Sequence, residues 1–143
     1  MLLHGSCASR DAAAILLLGP SGSGKSDLLL RLIARGWDLV ADDQVVVDGV
    51  AVSAPPALRG MLEVRGLGVF RDVAVAEGAR LTLVVELVAR DRVVRMPMPA
   101  HWAPAGVPRV ALHAFDASAP EKVSLALDAA LGRRAQRAGA FAA

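Results

Sequence analysis

Nine residues, GPSGSGKSD from Gly19 to Asp27, restrict what this chain can fold into more than any other stretch. They contain the pattern Gly-x-x-x-x-Gly-Lys-Ser, ending on Gly24, Lys25 and Ser26. An apolar run, AAAILLL, comes directly before. After it, Lys25 to Arg35 carries Leu28, Leu29, Leu32 and Ile33 at helical spacing, with Gly36 as a stop. Strand, glycine turn and helix in that order aim several backbone N–H groups, and the positive end of the helix, at one point. The reading is a phosphate cradle built from Gly19, Pro20, Ser21, Gly22, Ser23, Gly24, Lys25 and Ser26. Lys25 can reach the outer phosphates of a nucleoside triphosphate, and the Ser26 hydroxyl can ligate Mg²⁺.

The rest of the chain reads as a strand-rich α/β protein. Met1–Ala8 and Ala12–Leu18 predict two strands around a turn at Ser9-Arg10. WDLVADD predicts a buried strand ending in two carboxylates. QVVVDGVAVS predicts a hairpin about Asp48-Gly49. LRGMLEVRGLGVFRD, broken by glycines and arginines, reads as a loop, and RMPMPAHWAPAG as irregular. ARLTLVVELV and VPRVALHAF predict two further strands. Ser118-x-x-Glu121 is a capping pattern that opens a final helix through about Ala138. With no repeat or linker in 143 residues, the expectation is one domain over 1–143.

Composition excludes several classes. Hydrophobic residues make up 55 % of the chain and aromatics only 3 %, so the core must be aliphatic. A net charge of +2 gives no footprint for nucleic acid, and Arg133, Arg134 and Arg137 read as a solvated helix end. The single cysteine, Cys7, rules out an internal disulfide. AAAILLL lacks the flanks of a signal peptide, and no apolar run approaches the ~20 residues of a membrane helix. A cytoplasmic protein is expected. His101, His113 and Cys7 lack zinc spacing.

Binding a triphosphate is not yet transfer. A phosphotransferase needs a group to accept the proton of the attacking hydroxyl and another to complete the metal shell. Asp42 and Asp43 close the strand after the first helix, at the sheet edge that carries the loop. Neighbouring strand side chains point to opposite faces, so one of the two should face the phosphates.

Four segments, LHG at Leu3–Gly5, GPSGSGKSD, LVADD at Leu39–Asp43 and LEVRGLGVFRD at Leu62–Asp72, together resemble the catalytic domain of bacterial HPr kinase/phosphorylase. The resemblance implies a P-loop kinase fold with a helix after the phosphate loop and another at the C-terminus. It implies ATP-dependent phosphorylation of a serine on the phosphocarrier HPr or an HPr-like protein, together with its phosphorolytic reversal. By the same resemblance Asp43 is the general base, Lys25 and the loop hold ATP, Ser26 and Glu63 ligate Mg²⁺, and His4 is an active-site histidine. Arg65 lies in the signature segment, and Arg95, with Arg92 next, is the candidate for the family's catalytic arginine.

The chain departs from the family in two places. It starts close to the histidine, as the short form of some proteobacteria does, without the N-terminal domain of full-length members. The arginine-and-proline segment tied to phosphorolysis has no recognisable counterpart, its place being taken by SAPEKVS (Ser118–Ser124). A homo-oligomer, a hexamer in the family, is implied by the resemblance alone. Two other readings use the same loop: a kinase acting on a metabolite, and a nucleotide-sensing regulator without chemistry. Three carboxylates around one phosphate site speak against a mere sensor.

Overall fold

In the computed structural model, which describes residues 1–143, the N-terminal apolar stretches form three strands rather than two. They are β1 (Leu2–His4), β2 (Ser6–Arg10) and β3 (Ala13–Leu18). Gly5 divides the first two, its N–H donating to Asp43 O at 3.0 Å. The turn into β3 is at Asp11 and Ala12, both with positive φ (51° and 65°), not at Ser9-Arg10. Ser9 and Arg10 instead continue the ladder by pairing with Ala14 and Ala13. A two-residue turn of that hand matches the natural strand twist, which offsets the cost of a left-handed alanine.

The predicted helix forms as α1 (Lys25–Ala34). It is followed by β4 (Asp38–Ala41) and the hairpin β5 (Gln44–Asp48) with β6 (Ala51–Ser53). The glycine-broken stretch is not a plain loop. It holds a small separate hairpin, β7 (Leu62–Val64) with β8 (Gly68–Phe70). Next come β9 (Arg80–Leu87), the short β10 (His101–Trp102) inside the proline-rich stretch, β11 (Val107–Leu112) and α2 (Ala119–Ala130). α2 ends about eight residues before the expected point, because Gly132 turns into the left-handed region (φ 76°). Arg133, Arg134 and Arg137 lie exposed beyond it. Ser118 does occupy the N-cap, but its side chain makes no capping hydrogen bond.

The main sheet runs β1-β5-β6-β9-β3-β2-β4, with β11 also on β9. The three strands β3, β9 and β11 are parallel, and their carboxyl ends share one edge. Both faces are buried, as a central strand's unbroken apolar run requires. Ala13, Ile15 and Leu17 face Leu28, Leu29 and Leu32 of α1 and Val123 and Leu127 of α2. Ala14 and Leu16 face the opposite way, toward Val45, Val47, Val52 and Trp102, because β5 and β6 curl over β2 and β4. A bulge in β9 puts both Leu81 and Leu83 to use. The register jumps from Leu81 to Leu83 between Ala14 and Ile15, so the two leucines enter opposite cores. Each fully buried leucine stabilises the fold by about 1.5–3 kcal/mol. No helix is long and apolar enough to cross a membrane.

Candidate active site

The carboxyl end of β3 opens into a cleft of about 840 Å³. Its wall includes His4, the loop from Gly19 through Ser26 apart from Ser23, Asp43, Glu63, Arg65 and Phe115. Residues far apart in sequence therefore meet here.

The loop geometry follows from its glycines. Gly24 caps α1 with φ 96°, and its carbonyl accepts the first helical hydrogen bond, from Leu28 N–H at 2.9 Å. A Cβ on Gly24 would stand 2.7 Å from Ala114 Cβ, so glycine is required both by conformation and by space. The Lys25 ammonium folds back over the loop and donates to Gly19 O at 2.6 Å and Pro20 O at 3.1 Å. It thus lies over the start of the glycine loop, at the cleft.

The aspartate doublet divides in the way strand alternation requires, although β4 stops one residue before it. Asp42 turns inward and is only 7 % exposed. Its Oδ1 accepts from Ser6 Oγ at 3.1 Å and Ser26 Oγ at 2.9 Å, and its Oδ2 accepts from Glu63 N–H at 3.1 Å. One buried carboxylate therefore ties β2, the start of α1 and β7 together. That role went unread in the sequence, since Ser6 lies thirty-six positions upstream and has no local signal.

Asp43 adopts φ 69°, a left-handed conformation that aspartate tolerates better than most residues. It lines the cleft, and its carbonyl accepts from Gly5 N–H. His4 sits alongside because β1 pairs with β5, His4 opposite Gln44. The β2–β3 ladder, with Ser6 opposite Leu17, brings that part of the chain back to the end of β3.

Glu63 and Arg65 reach the cleft from the β7–β8 hairpin. Ser26 Oγ and Glu63 offer hard oxygen donors on one side. No group of three or more His, Cys, Asp or Glu side chains forms a cage. Such a partial set suits Mg²⁺, which keeps waters and takes further ligands from phosphates.

Arg95 is not brought to the cleft. It lies exposed in the segment interrupted by Pro97 and Pro99, and neither it nor Arg92 lines the cleft. Pro97 and Pro99 lack ladder donors, and the segment joins no strand before His101. The arginine that does line the cleft is Arg65. Phe115 is a cleft residue that sequence reading passed over, because an aromatic after a strand looks like core. Cys7 is fully buried, and burial pushes its thiol pKa far up, leaving it chemically inert.

Comparison with known proteins starts from this arrangement. The family model for the HPr serine kinase C-terminal domain matches residues 1–98. The chain belongs to this family. An HPr kinase/phosphorylase from Bordetella petrii is 41 % identical over 110 residues, covering 67 % of this chain and 36 % of the relative. One from Cupriavidus metallidurans is 39 % identical over 113 residues, covering 70 % and 35 %. The chain thus spans about a third of the length of these curated relatives. The HPr(Ser) kinase/phosphatase structure from Coxiella burnetii superposes with a TM-score of 0.74, at 24 % identity and 92 % coverage of both chains. The fold of the HPr kinase domain is therefore shared across nearly the whole chain. The strand-rich sheet, the phosphate loop, the helix after it and the C-terminal helix expected from the sequence are all present.

Proposed function

We propose that residues 1–143 act as one catalytic domain, an ATP-dependent serine kinase for HPr or an HPr-like phosphocarrier in the cytoplasm. The observation that carries this reading is the convergence of Asp43, Lys25, Ser26 and Glu63 on a single cleft. Family membership supports the choice of carrier, since the relatives are named for HPr.

In this reading the loop N–H groups and Lys25 hold the triphosphate of ATP, the donor substrate, with its terminal phosphorus toward Asp43. The Asp43 carboxylate accepts the proton of the carrier's serine hydroxyl. The serine oxygen bonds to the γ-phosphorus as the bond to the β–γ bridging oxygen breaks, and ADP leaves with that electron pair. Ser26 and Glu63 would hold Mg²⁺, which neutralises charge on the phosphate oxygens when bound. Asp42 takes no part in proton transfer. Buried and accepting three hydrogen bonds, it orients Ser26 and the Glu63 backbone. Arg65, which lines the same cleft, supplies positive charge toward the transferred group.

The test is incubation of the purified protein with Mg-ATP and HPr, read by intact mass and by mapping of the modified residue. The expected result is a gain of one phosphate on a serine. ATP consumed only with small metabolites, or carrier bound without modification, would overturn the reading.

A further inference from the structure

Phe115 is the one Phe, Tyr or Trp side chain that lines the cleft, and transfer chemistry gives it no task. The chain has three Phe, two Trp and no Tyr, so a ring spent on the surface calls for a reason. This ring is 54 % exposed and lines the same cleft as Gly24, Lys25 and Asp43. A Cβ on Gly24 would lie 3.0 Å from its Cζ, so the ring stands directly beside the end of the phosphate loop.

Its position is unusually well braced. Ala114, the preceding residue, is fully buried. The Arg31 guanidinium, from the middle of α1, donates to the carbonyls on either side, Ala114 O and Asp116 O, the latter at 3.2 Å. Asp116 is in turn paired with Arg90 at 2.8 Å and Lys122 at 3.6 Å. The His113 ring meets Phe115 edge-on, 5.8 Å between centroids at 68°, and is anchored by Nδ1–H donating to Val88 O at 2.9 Å. The whole loop follows the parallel strand β11, at the sheet edge where such sheets hold ligands. A large apolar face held rigid, uncovered and next to a phosphate cradle is a preorganised surface for a flat ligand.

We infer that Phe115 is the stacking platform for the base of the nucleoside triphosphate whose phosphates occupy the Gly19–Ser26 loop. The inference rests on the triphosphate reading of the cleft and adds the recognition of the base. It also predicts which bases are accepted. Three polar groups beside Phe115 are already engaged: both flanking carbonyls by Arg31, and the Asp116 carboxylate by Arg90 and Lys122. With these engaged within the protein, the wall offers the ligand an open π-face. Stacking of that kind is sequence-tolerant, because every base has a π-face. Adenine and guanine should gain equally from Phe115.

The experiment is calorimetric titration of the full chain with Mg-ATP, Mg-GTP and Mg-tripolyphosphate, the last having phosphates and no base. Phe115→Ala should weaken ATP and GTP each by about tenfold, on the scale of a single stacked base. Tripolyphosphate binding should stay within about twofold of the parent protein, which also shows that the loop has kept its shape. Phe115→Tyr, which keeps the ring, should restore nucleotide affinity. Unchanged nucleotide binding in Phe115→Ala would overturn the proposal, as would an equal loss for tripolyphosphate or a loss confined to one base. A parent protein that bound none of the three probes would instead overturn the triphosphate reading itself.

Discussion

Asp42 is the residue whose removal should cost the fold most for its size. Asp42→Ala deletes both carboxylate oxygens and so leaves three donors without their acceptor: Ser6 Oγ, Ser26 Oγ and Glu63 N–H. They are not equal. Ser6 is fully buried, so its hydroxyl bears the desolvation cost of an unsatisfied group, about 1–3 kcal/mol. Ser26 and the Glu63 backbone border the cleft and can turn to water, so each forfeits only the net value of a hydrogen bond, about 0.5–1.5 kcal/mol. The sum centres on about 4 kcal/mol, a large share of the roughly 5–15 kcal/mol that holds a typical domain folded. At about 2–4 °C per kcal/mol for a chain of this size, Tm should fall by about 8–16 °C. Circular dichroism melts and urea unfolding measure it. The Ser6 share is separable. In a Ser6→Ala background the same substitution orphans one hydroxyl fewer and should cost about 2 kcal/mol less. A drop under about 2 °C, or strictly additive single and double variants, would refute the view that Asp42 is a buried junction.

Other consequences follow from the same geometry. Lys25→Ala removes the ammonium that now covers the loop carbonyls, and it should weaken Mg-ATP by about tenfold to a hundredfold in a titration while barely changing Tm. Asp116 has its carboxyl held below the usual carboxylate range, first by the hydrogen bond from Arg90. A depressed folded-state pKa means the pairing helps the fold fully above about pH 4 and loses that help as pH falls through the folded value. Side-chain NMR titration should therefore show an Asp116 midpoint below that of a free aspartate, moving up in Arg90→Gln. Gly24→Ala should abolish nucleotide binding, because its methyl group would meet Ala114 and the left-handed φ would be strained.

The sequence made the phosphate loop legible because its function demands local chemistry. Glycines at fixed offsets, an apolar run before them and a helical stripe after them all lie within about thirty residues. The β5–β6 hairpin was legible for the same reason. What escaped was set by distance or by context. The β7–β8 hairpin has glycine at 66 and 68 and an almost wholly exposed second strand, so no alternation marks it. The turn at Asp11-Ala12 uses a left-handed alanine, which propensity alone would never choose. Strand alternation correctly required that Asp42 and Asp43 face opposite ways. Which of them is buried depends on Ser6 and Glu63, brought in by other elements. Arg95 came from a resemblance carried onto a proline-containing segment, which runs exposed and outside the strands.

The central claim is that Asp43 takes the proton from the attacking serine. Its most direct test is the single-turnover rate of phosphate transfer to HPr from saturating Mg-ATP, compared between the parent protein and Asp43→Asn. The amide keeps the shape and cannot accept the proton, so transfer should fall by about a hundredfold or more while ATP affinity holds within about threefold. Transfer by Asp43→Asn at the parent rate would contradict the account.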